Sequence, residues 1–78
     1  MSRTPVPPAA MQERLRVGRR IRVAREERQL SQERLAELAG IGRHSVYRTE
    51  LATHSPSLDH LVLIAQALGV PLTDLIRD

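Results

Sequence analysis

The sequence predicts an all-α protein, five short helices closed around an aliphatic core. Three observations predict it. After the first ten residues, apolar side chains recur at three- and four-residue spacing, as they do along one face of a helix. Gly, Ser and Pro punctuate these segments where caps and turns belong. No stretch keeps the strict polar–apolar alternation of a half-buried strand.

The opening residues, MSRTPVPPAA, hold three of the five prolines among small residues and read as a flexible tail, 1–10, ahead of a single domain, 11–78. The first helix is expected from Met11 to Gln29, burying Val17, Gly18, Ile21 and Ala24, with Leu30 closing it. Ser31 stands where an N-cap belongs and Glu33 lies near the positive end of the helix that follows, so the second helix should cover Gln32 to Ala39. Leu35, Ala39 and Ile41 supply its buried stripe, and Ala36 is small enough to let a neighbouring helix approach. Gly40 can take the left-handed conformation of a tight exit. The third helix, about Arg43 to Leu51, returns only Val46 to the core. Ser57 is the expected N-cap of a fourth helix, with Asp59 in its first turn and Leu58, Leu61, Ile64, Ala65 and Leu68 on one face. Gly69 ends it, and Leu72 to Arg77 form a last short turn around Leu75.

The second and third of these helices carry the functional signal. A breaker, Gly40-Ile41-Gly42, separates two apolar-periodic segments by so few residues that the helices must cross sharply. That is the spacing of a helix-turn-helix, whose second helix can enter a major groove. Arg43, His44, Tyr47 and Arg48 fall on faces of this helix that the core does not use. An ordinary helical hairpin with solvated charges is the plainer alternative.

Composition narrows the function. The formal net charge is only +3, yet all twelve basic residues are Arg. Guanidinium groups suit phosphate and guanine, although GC-rich codon usage produces the same bias. Residues 1–28 hold eight Arg against three Glu, and the remainder four Arg against six acids. Seven of these Arg lie between Arg14 and Arg28, where an Arg22/Glu26 pair at i, i+4 fits a solvated helix face as readily as a DNA contact. There is no cysteine, hence no disulfide and no Cys-containing zinc site. Dimerisation is the remaining way to stabilise so small a core. No apolar run approaches the roughly 18 residues of a membrane span, and no apolar stretch follows the N-terminal charge as in a secretory signal, so a cytoplasmic protein is expected. His44, His54 and His60 lack metal-ligand spacing. Ser31, Ser45 and Ser57 all have cap or helix-start explanations, and neither catalytic residues nor a cofactor cradle is evident.

In order along the chain stand Arg25, Leu30-Ser31-Gln32, Leu35-Ala36, Gly40-Ile41, Glu50, Pro56-Ser57-Leu58, Ile64-Ala65 and Leu68-Gly69-Val70. With these residues at these gaps, the segment from about Val17 to Ile76 resembles the lambda-repressor-like helix-turn-helix domain of the phage repressor, Cro and Xre family. Two departures stand out: Thr49 replaces a large apolar residue of the third helix, and Ala52 replaces the Gly that usually follows it. The Thr49 hydroxyl then needs a partner, such as the carbonyl one turn back. A left-handed Ala52 carries about 1 kcal/mol of extra cost.

The resemblance implies a sequence-specific regulator of transcription that binds double-stranded DNA as a homodimer on a roughly palindromic operator. It points to Arg43, His44, Tyr47 and Arg48 as base contacts. Either Arg can instead hold a phosphate, His44 can donate to either, and Tyr47 can meet a thymine methyl or a phosphate. Gln32 corresponds to a phosphate clamp at the start of the second helix, with Ser31, Thr53 and Ser55 as further backbone contacts. Arg25 and Glu50 correspond to an ion pair that orients the recognition helix from behind, and Arg3 could follow a minor groove. Leu63 lies about 140° around the fourth helix from Leu58 and, like Ile76, is surplus to the core, so both are candidates for a dimer interface. The rival reading, from another class, is an antitoxin or protein-interaction module that uses the same fold chiefly to bind a partner such as a toxin or RNA polymerase.

Overall fold

A computed structural model describes residues 5–77, and among them contains five helices and no strand: α1 Pro8–Glu27, α2 Gln32–Ala39, α3 Arg43–Glu50, α4 Leu58–Leu68 and α5 Thr73–Ile76. α1 starts three residues before the expected boundary. Pro7 is extended and Pro8 occupies the first helical turn, where a missing N–H leaves nothing unpaired. The Pro7 carbonyl accepts from the Met11 amide at 3.0 Å. The second half of the proline segment is thus a helix start, while Arg3 lies outside the described residues. α1 ends at Glu27, short of the expected Gln29, which instead adopts φ 55° and donates to the Glu26 carbonyl at 2.9 Å.

The core is aliphatic throughout. Ile21, Val46, Leu35, Ile64 and Leu75, contributed by all five helices, are its largest fully buried side chains. Each such burial stabilises the fold by roughly 1.5–3 kcal/mol. Val17, Ala36, Ala39, Ala65 and Leu68 complete the buried cluster, with Leu30, Ile41, Leu61 and Val70 packed against it. α2 packs on α3 and α4, and α1 on α3 and α5. Gly18 is the close point between α1 and α3: a Cβ there would meet the Thr49 carbonyl oxygen at 2.6 Å and that of Glu50 at 2.9 Å. Only glycine lets the two backbones meet in this way.

Local signals placed the caps correctly. The Ser31 hydroxyl accepts from the Arg34 amide at 2.9 Å, and the Ser57 hydroxyl from the His60 amide at 3.1 Å. Gly40 and Gly69 are left-handed, at φ 72° and 73°. α5 is shorter than expected, with Leu72 as its cap.

The faces of α4 need correction. Leu58, expected to be buried, is 65% exposed, whereas Leu63, expected to be exposed, is partly buried against the core cluster. Leu58 is the first residue after the Ser57 cap, and core packing reaches this helix only from Leu61 onward. Helical periodicity fixes a direction around the axis but not how far along it the neighbours extend. Ile76 is 41% exposed, as expected.

Candidate nucleic-acid interface

The turn between α2 and α3 is built from backbone bonds. The Gly40 amide donates to the Glu37 carbonyl at 3.2 Å and the Ile41 amide to that of Ala36 at 3.0 Å, the paired closure that a left-handed glycine permits. Gly42 then caps α3 in an extended conformation with no side-chain acceptor. The Ser45 amide donates to the Gly42 carbonyl at 3.0 Å, and no side chain caps the first turn of α3, an arrangement open to an incoming anion.

Arg43, His44, Tyr47 and Arg48 are all exposed. At about 100° per residue they occupy an arc of roughly 140°, with buried Val46 and Thr49 on the opposite side. Arg43, His44 and Tyr47 line one shallow depression with Gln32 and Glu33 of α2. Four expected contact residues therefore converge, together with Glu33, which sequence reasoning placed only as a helix-start charge. The Arg43 guanidinium lies 3.6 Å from the Glu33 carboxylate. Arg48 does not line the depression, and its Nε donates to the His44 carbonyl at 3.3 Å. Ser31, Thr53 and Ser55 are exposed outside it: Ser31 is engaged as a cap acceptor, and the Thr53 hydroxyl donates to the Arg48 carbonyl at 3.4 Å.

Behind this surface α3 is held firmly. Arg25 donates through Nε to Glu50 Oε2 at 2.7 Å and through Nη2 to Oε1 at 2.9 Å, while Nη1 donates to the Leu30 carbonyl at 2.8 Å. Gln32 adds a bond from Nε2 to Glu50 Oε1 at 3.0 Å. The Glu50 side chain is 4% exposed and that of Arg25 12%. A paired, fully bonded buried carboxylate of this kind fixes orientation, and a lost partner would leave a charge stranded. Its hydrogen bond to Glu50 raises the Arg25 pKa above the ordinary arginine value, against the opposing effect of burial. A raised pKa on a cation means that the arginine's own contribution, made while its carboxylate partner is charged, is present below the ordinary arginine value and is lost on the alkaline side as pH climbs through the raised one. The arginine side of the bridge is thus charged throughout the working range. Gln32 accordingly has a structural duty besides any phosphate contact, and its neighbourhood to Glu50 had no signal in the sequence.

The two family departures resolve locally. Thr49 is 2% exposed and its hydroxyl donates to the Ser45 carbonyl at 2.6 Å, the one-turn-back bond expected of it. Ala52 is left-handed, at φ 62°.

A five-helix array with a glycine-turned α2–α3 pair is a helix-turn-helix domain. Residues 21–75 match the helix-turn-helix family model, and the chain belongs to that family, in its Xre and phage-repressor branch. It is 37% identical over 59 residues to the cryptic phage CTXphi transcriptional repressor RstR of Vibrio cholerae, covering 76% of this chain and 53% of the repressor. Identity is also 37% over 62 residues with the immunity repressor protein of Bacillus phage phi105, covering 80% and 43% respectively. The chain spans about half the length of these curated relatives. Among solved structures, the restriction-modification controller protein C.AhdI from Aeromonas hydrophila superposes with a TM-score of 0.80 at 33% identity, over 82% of this chain and 97% of that one. The hypothetical transcription factor NHTF from Neisseria also gives 0.80, at 27% identity over 97% and 86%. No helix among the described residues is long and apolar enough to cross a membrane.

Proposed function

We propose that this chain is a sequence-specific, double-stranded DNA-binding regulator of transcription, acting without a cofactor as a homodimer on a roughly palindromic operator. One observation carries the reading: α3 offers Arg43, His44, Tyr47 and Arg48 to solvent while its far end is locked by the Arg25–Glu50–Gln32 bonds. A projecting helix with a bidentate donor at its leading end and a fixed orientation is what base readout in a major groove requires. The regulatory names of the repressors and the controller protein that it resembles support the same reading. For assembly, the exposed Ile76 on α5 and the partly buried Leu63 on α4 are the apolar candidates. A twofold contact there would set two copies of α3 about 34 Å apart, one DNA turn.

Selection of bound fragments from random duplex DNA tests this. The expected product is an inverted repeat with half-site centres about ten base pairs apart, bound with an affinity that falls steeply as salt rises. Absence of any enriched sequence would sink the proposal and favour a protein partner as the principal ligand.

A further inference from the structure

We infer that Glu33 is a specificity-determining residue, acting through Arg43 to restrain non-specific attachment to phosphate; the inference rests on the DNA-binding reading above. The carboxylate and the guanidinium sit on different helices, face each other across the depression at 3.6 Å, and have side chains 69% and 67% exposed. The separation exceeds that of a hydrogen bond, so the two groups form a loose, solvated ion pair that is readily exchanged.

Two consequences follow for a duplex in the depression. Non-specific affinity grows with the number of phosphates neutralised, so an anion beside the leading cation of α3 subtracts from it. A guanine edge takes the same arginine by two directed bonds to O6 and N7, which depend on geometry more than on net charge. Arginine has five N–H donors in a rigid fork, so the edge turned away from the base remains available to Glu33. The carboxylate therefore penalises the phosphate-bound arrangement of Arg43 more than the base-bound one. Glu33 also lies in the first turn of α2, where a negative charge complements the helix dipole.

The test uses the full chain, its selected operator and a random duplex of equal length, across a salt series, with Glu33→Gln, Arg43→Ala and the double variant. Glu33→Gln is expected to tighten random-duplex binding about two- to fivefold, the scale of an exposed charge pair, with operator affinity changed less. The salt slope on random DNA should steepen by up to about 0.9, the share of one phosphate. In the Arg43→Ala background the same substitution should leave the operator-to-random ratio unaltered. An unchanged ratio for Glu33→Gln, or an equal change that persists without Arg43, overturns the inference while leaving DNA binding intact. A parent chain with no operator preference overturns the DNA reading itself, and this inference with it.

Discussion

The two ends of α3 are built on opposite principles. At Arg43 the helix starts from a bare glycine cap, its side chains are exposed, and its one ion pair is loose. At Glu50 it stops against the backbone of α1, with a carboxylate that accepts three hydrogen bonds and is almost wholly removed from water. The anchoring hydrogen bonds are concentrated at the Glu50 end. Substitutions at the Glu50 end should therefore be read in stability, and those at the Arg43 end in binding.

The largest expected effect is Glu50→Ala, which strands the Arg25 charge in a mostly buried site and should reduce unfolding free energy by about 3 kcal/mol in denaturant titration. A midpoint unchanged from the parent would break the contrast, because the fixed end would then be no more anchored than the free one. Gly18→Ala comes next. Its methyl would press on two backbone carbonyls that cannot rotate away, and a loss of about 1–3 kcal/mol is expected. At the other end, Arg43→Ala and Arg48→Ala should leave the melting temperature within error. Each should weaken operator binding by about 1–3 kcal/mol where it reads a guanine, with loss of preference at one base position. Arg48, set aside from the depression, is the better candidate for a phosphate contact, whose loss weakens all sequences alike. The smallest effects concern the two left-handed non-glycine residues. Gln29 is exposed, so Gln29→Gly relieves about 1–2 kcal/mol of backbone strain against about 0.5–1 of unfolded-chain entropy and should stabilise slightly. Ala52 is 3% exposed, so Ala52→Gly also forfeits about 0.8 kcal/mol of methyl burial and should come out close to neutral. A clear gain at Ala52 would show that this methyl contributes little to the exit from α3.

What could be read in advance divides along the same line. Ser31, Ser57, Gly40 and Gly69 were legible because a cap or a left-handed turn is decided within four residues, and the Thr49 back-bond for the same reason. The exposed face of α3 with Arg43, His44, Tyr47 and Arg48 was legible because only Val46 of the helix had an obvious place in the core. The Arg25–Glu50 pair came from family likeness, since 25 residues separate the partners. Gln32 with Glu50, Glu33 with Arg43, and Gly18 against Thr49 and Glu50 depend on how helices cross, which no local pattern encodes. Gly18 did leave a trace, a glycine in mid-helix, whose usual penalty of about 1 kcal/mol signals a close backbone approach. The proline-rich opening reads as a flexible tail through residue 10, whereas Pro7 and Pro8 begin α1, because a proline suits an extended segment and a first helical turn alike.

The seat of Gly18 on the last carbonyls of α3 has a practical consequence for redesign. Because the contact is between main chains, the pose of the helix owes nothing at that point to the identity of its outward side chains. Residues 43, 44, 47 and 48 can then be exchanged as a cassette, and the scaffold will present each new set at the same angle. On the proposed DNA reading, a library built on those four positions would sample operator preferences without also sampling folds.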